Sequence, residues 1–185
     1  MIGPWLKREL NKFSERYDYD TGYMAELVDL DPSGGAKLAM ATAFLGHRFG
    51  LPAAPYFAAK IVAVKTADCG SCLRLAIAMA EEAGVELADC AALVTGEGRP
   101  PDDMALAARY ARAVLDNDPA LADILVECEA RWGRRAIGGL AAAVVSGLFY
   151  PVLKRGLGYG NSCEPVVAWL KARAGAAAAR EPAIA

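Results

Sequence analysis

Apolar residues recur every three or four positions along nearly the whole chain, and no stretch alternates strictly as a half-buried strand would. The pattern predicts helices and no sheet. Amphipathic segments are expected at 6–17, 21–30, 36–49 and 53–66. Asp31-Pro32-Ser33-Gly34-Gly35 breaks the second from the third, and Gly50-Leu51-Pro52 stops the third. A fifth helix is expected at 69–83, with Asp68 as its N-cap and Gly84 as its stop. Segments at 85–95, 102–115, 119–131, 133–153 and 163–173 follow. Gly96-Glu97-Gly98-Arg99-Pro100-Pro101 is a loop between them and the best candidate for a mobile segment. The expected architecture is one all-α domain over residues 1–173 and a low-complexity C-terminal tail at 174–185.

One segment tests that picture. Residues 136–153 carry no charge, lie between Arg134-Arg135 and Lys154-Arg155, and meet the bare length for a membrane span. Gly138, Gly139, Ser146, Gly147 and Pro151 weaken its insertion energy, so a buried central helix is the better expectation.

Composition narrows the function. The chain has 185 residues, enough for one domain with a substantial core, and 55% of them are hydrophobic, much of the excess being alanine. So apolar a helical subunit is expected to associate with copies of itself. Twenty basic against 22 acidic residues, with no basic run, argue against nucleic acid as a partner. The N-terminus is charged from Lys7 onward and shows no apolar leader segment. Five cysteines without a secretory signature suggest reduced thiols, which makes the cytoplasm the expected compartment.

The chemistry concentrates in Asp68-Cys69-Gly70-Ser71-Cys72, a C-x-x-C where an alanine-rich helix begins. Thiols three residues apart share a helix face and can bridge, bind metal or exchange electrons with a partner. The thiolate is the reactive form. A helix N-terminus favours it, lowering a pKa that is about 8.5 for a free cysteine. That argument favours Cys69 as the activated thiol. Asp68 is a candidate cap or proton acceptor, and Lys65 a candidate cation. Packing of two small apolar thiols is the plainer alternative.

Cys163, after a glycine-rich turn, is a candidate to resolve a disulfide or line the site, the plainer alternative being a buried helix-start cysteine. Cys90 and Cys128 fall in mid-helix patterns and are expected in the core. His47 is the only histidine, so any imidazole-dependent step must use it; otherwise it is a helix-end cation. A zinc site would need a second ligand pair that the sequence does not offer, so neither metal nor cofactor is expected.

The helix leading into the C-x-x-C, the alanine-rich helix ending in Ala83-Gly84-Val85, the helical hairpin and the long apolar helix together resemble the carboxymuconolactone decarboxylase superfamily. The resemblance covers residues 53–150 and is to the alkylhydroperoxidase D-like branch. Tyr19-Asp20-Thr21-Gly22-Tyr23 and the segment from Tyr150 to Gly160 look like an uncharacterised subgroup. The resemblance implies an all-helical homo-oligomer, a trimer or hexamer, with a dithiol that reduces peroxide and is recharged by a thiol electron donor. It assigns attack to the second cysteine, here Cys72, against the dipole argument for Cys69. Two positions depart from the branch, which carries a His where this chain has Ala76 and a Glu where it has Phe57. The expected function is a thiol–disulfide oxidoreductase with a small-molecule oxidant, a hydroperoxide being the candidate. The alternative is a non-catalytic oligomer or redox sensor of the same fold.

Overall fold

The computed structural model describes residues 2–160 and 166–178. They form ten helices and, among the described residues, no strand. These are α1 (Ile2–Tyr17), α2 (Gly22–Leu30), α3 (Pro32–Leu45), α4 (Ala53–Thr66), α5 (Gly70–Glu82), α6 (Leu87–Thr95), α7 (Asp102–Asp116), α8 (Leu121–Trp132), α9 (Arg134–Gly156) and α10 (Val166–Ala178). The all-α expectation holds.

Several boundaries differ from the expectations: α1 starts earlier, at Ile2, and α3 stops at Leu45, so that His47 follows the helix and is not in its last turn. Asp31-Pro32 does not break the chain but starts α3. The Asp31 carboxylate accepts from the Ser33 N–H at 2.9 Å, and Pro32 occupies the first turn, where its missing N–H costs nothing. Asp68 does not cap α5. It takes a left-handed conformation (φ 51°) that turns the chain out of α4, and Cys69 is the N-cap instead. Helix α9 runs past Leu153 and through Pro151 to Gly156, while α10 continues to Ala178, into the segment that composition marks as tail.

Helix α4 is the centre of the molecule. It packs most heavily on α7 and α9, and then on α5 and α6. Ala58, Ala59, Ile61 and Ala63 are fully buried, which suits a helix surrounded on most sides. Ile61, Ile77, Met104 and Leu140 are among the largest fully buried side chains. Each contributes roughly 1.5–3 kcal/mol of burial.

The seam between α4 and α9 depends on Gly147. A Cβ there would lie 2.7 Å from the Lys60 carbonyl oxygen and 2.6 Å from the Ala63 Cβ, so only hydrogen fits. Helix α9 is long and apolar enough to cross a bilayer, and half of its most apolar window is buried inside the fold. Helices α1, α2 and α3 form a separate layer. They pack chiefly on one another and touch the rest mainly where α3 meets α9.

Candidate functional site

The turn from α4 to α5 fixes the dithiol. Asp68 reverses the chain, Cys69 caps the new helix, and Cys72 sits one turn in, so both thiols face the same way. Their Cα atoms are 5.3 Å apart and the two sulfurs are bonded as a disulfide, inside the usual range of ~4.4–6.8 Å. Cys69 is half-buried, whereas Cys72 is buried at 5% exposure.

Each sulfur has its own polar neighbour. The Tyr19 hydroxyl shares a hydrogen bond with Cys72 Sγ at 3.5 Å and lies 3.2 Å from the Tyr23 hydroxyl. Ser71 Oγ is 3.7 Å from Cys69 Sγ and accepts from Lys154 Nζ at 3.0 Å. Lys154 is 4% exposed, and among the described residues no carboxylate pairs with it. Its ammonium rests instead over the rings of Tyr19 and Tyr23, 5.4 and 5.9 Å from their centroids. The next residue, Arg155, donates to the Ala67 carbonyl at 2.5 Å and ties the end of α9 to the turn before Cys69. Burial, and then the neighbouring Tyr19, hold the Tyr23 phenol far above its usual range, so that hydroxyl keeps its proton.

Beside the dithiol lies a cavity of about 310 Å³. The α1–α3 layer forms one side, α4, α5 and α9 the other, and Cys72 stands in its wall with Tyr19, Tyr23, Leu75, Ala76 and Met79. Lys60, Ser146 and Tyr150 line another part. Desolvation pushes the Lys60 ammonium down to about 8.

The residues singled out in the sequence fall into two groups. Cys69 and Cys72 come together. Asp68 is next to them in the chain but exposed. Lys65 is turned to another face, where its ammonium donates to the Val94 carbonyl at 2.7 Å. His47 is exposed after α3, its ring edge-on to Phe49 at 4.5 Å. Cys163 lies outside the described residues. Cys90 and Cys128 are fully buried and free, as expected of core cysteines; burial pushes their thiols up to about 12 and about 11. Ala76 and Phe57, which stand where the resembled branch has His and Glu, are both buried.

Sequence reasoning missed Tyr19, Tyr23, Ser71 and Lys154 as neighbours of the thiols, and Lys60 and the cavity altogether. Lys154 was read only as a flank of the apolar stretch, and it lies 83 residues from Ser71 in the chain. Ser71, between the two cysteines, was the one signal in plain view.

Among the described residues, no group of three or more His, Cys, Asp or Glu side chains converges to hold a metal ion. No protein-family model, no curated protein and no solved structure matches this chain.

Proposed function

We propose that the protein is a thiol–disulfide oxidoreductase in which Cys69 and Cys72 cycle between dithiol and disulfide. A hydroperoxide is the candidate oxidant and an external thiol the electron donor. What carries the reading is the bridged pair in the first turn of α5 with one sulfur in a cavity wall. The resemblance to the alkylhydroperoxidase D-like branch points the same way.

An oxidant in the cavity meets Cys72 first. The Cys72 thiolate attacks the outer peroxide oxygen and the O–O bond breaks. The alkoxide takes a proton and leaves as alcohol, and the sulfur becomes a sulfenic acid. Cys69 then attacks that sulfur, the S–S bond forms, and water departs. A first donor thiol attacks the half-buried Cys69, releasing the Cys72 thiolate, and a second donor thiol resolves that mixed disulfide, so that two donor thiols leave as a disulfide and return two electrons. Tyr19, in contact with Cys72 Sγ, is the proton donor closest to that sulfur among the described residues. Lys154 supplies positive charge through Ser71, which neighbours Cys69, and so favours the thiolate of the resolving cysteine.

The second reading is a helical oligomer or redox sensor without turnover. Buried Ala76 and Phe57 favour it, since neither can carry a proton. Counting free thiols before and after one equivalent of hydroperoxide separates the two. Rapid loss of two thiols in the wild type, and not in Cys72→Ser, supports dithiol redox chemistry; no loss supports the binding or structural role.

We also propose a homo-oligomer, a trimer or hexamer, in the cytoplasm, with α9 serving as a core helix. Trp5, Met40 and Phe44 are 53%, 73% and 58% exposed on the α1–α3 layer, large apolar surfaces for a lone subunit to leave in water. A stable species of 19.5 kDa in sedimentation at micromolar concentration would rule the oligomer out.

A further inference from the structure

We propose that the cavity beside the dithiol binds a single-chain aliphatic monocarboxylate, its carboxylate on the Lys60 ammonium and its chain among the apolar side chains toward α1 and α5. The inference goes beyond the redox reading and does not need it.

Three observations carry the proposal. The first is position. Lys60 belongs to α4, the central helix, and so stands on the inner side of the cavity, while half-exposed Trp5 and Glu9 of α1 stand on its outer side. The second is the want of a partner. Among the described residues Lys60 makes no hydrogen bond or ion pair, and burial alone moves its titration, with no charge nearby to offset it. Glu9, the only carboxylate in the cavity wall among the described residues, is held by Lys12 at 2.8 Å and by Arg8 at 3.6 Å. An unpaired ammonium in apolar surroundings is costly, and a single negative charge is what neutralises it. A dianion would carry surplus charge into the same low-dielectric space.

The third observation is the shape of the remainder. Leu6, Leu10, Phe13, Met24, Leu75 and Met79 make an apolar wall suited to hydrocarbon. The cavity, about 310 Å³, is of the size of an ordinary small-molecule pocket and takes a hydrocarbon chain of medium length. The polar groups beside Lys60 are hydroxyls: Ser146 and Tyr150, the latter already bonded to Thr42 at 2.5 Å. They can orient a carboxylate but cannot replace the cation.

Even at a depressed pKa of about 8, Lys60 is mostly protonated at pH 7, so it meets the ligand as an ammonium. The test is calorimetric titration of the full chain at pH 7 with decanoate, with decanol as the uncharged probe of the same length. Saturable binding of decanoate is expected, weakened about 10- to 100-fold in Lys60→Met and largely kept in Lys60→Arg. Decanol should bind more weakly than decanoate and be indifferent to Lys60→Met. Free thiols counted before and after hydroperoxide on the same wild-type samples read the redox chemistry separately, so decanoate binding without thiol loss, or thiol loss without binding, separates failure of the two readings. Equal affinity for decanoate in wild type and a folded Lys60→Met, decanol binding as tightly as decanoate, or no saturable binding would each overturn it. Should Lys60→Met not fold, the decanoate–decanol difference in the wild type still decides.

Discussion

The seam between α4 and α9 and the layer of α1–α3 treat the same central helix in opposite ways. At the seam, Gly147 lets two backbones meet, with no room for a methyl group. Lys60, whose carbonyl is part of that seam, also lines a cavity of about 310 Å³ with its side chain. Tight packing fixes where the α4–α5 turn and the end of α9 stand relative to each other, so it sets the neighbours of the dithiol. The loose side leaves space for something to reach Cys72. Stability and access are thus assigned to different faces of one helix.

The largest effect should come from breaking the tight side. Gly147→Leu places a branched side chain against the Lys60 carbonyl and Ala63, and should cost about 3 kcal/mol or more, or prevent folding. Urea unfolding measures it, and a near-neutral result would show that the seam can open.

The loose side should respond the other way. Lys60→Met removes an unpaired, partly buried cation and should stabilise the ligand-free protein by up to about 3 kcal/mol at pH 7. The folded-state value, about 8, lies below the ordinary 10.5, so the unfolded chain holds that proton more tightly. The penalty is therefore fully present below about pH 8 and fades as pH rises toward 10.5. The gap between wild type and Lys60→Met should narrow over that window; a constant gap would mean that Lys60 is already hydrated or paired.

Next in size is a gain of function. Ala76 lines the cavity, so an imidazole there has space to fill. Ala76→His should keep the fold and speed peroxide-driven thiol loss by about 10- to 100-fold, at the low end of what a positioned acid or base gives. Stopped-flow thiol kinetics would read it, and an unchanged rate would mean that proton supply is not limiting. His47→Ala, on the exposed side away from the cavity, should change that rate little.

The smallest effect expected is that of Tyr19→Phe. Losing one weak contact to sulfur should slow oxidation by only a few-fold, with about 1 kcal/mol lost in stability. A drop of a hundredfold would make Tyr19 the acid itself.

Much of the fold was legible in the chain because helical periodicity is a local property. The bounds of α4 come out as read, and those of α2 and α7 nearly so. Asp31-Pro32 was misread because Pro and Gly mark loops and helix starts alike; the Asp cap with Pro behind it was the better clue. Asp68 looked like a cap because of its residue type, yet its left-handed backbone serves the turn instead. In the site, the dithiol was legible because both sulfurs lie in one helical turn. Tyr19 and Lys154 were not, since they arrive from 53 and 83 residues away through the packing of α9 and α2. A cavity has no sequence signature at all: it is what six helices fail to fill.

The short reach of the dithiol has its own consequence. Its two cysteines are three residues apart on one helix, so opening the bridge asks nothing of the other nine elements. The oxidised and reduced proteins should then share one shape and differ in charge, a thiolate appearing or vanishing beside the Ser71–Lys154 pair. Anything that tells the two states apart would have to sense an electrical change and not a movement. Amide exchange should accordingly match between the states everywhere except the first turn of α5 and the last turn of α9. Widespread differences would mean that the message travels as motion after all.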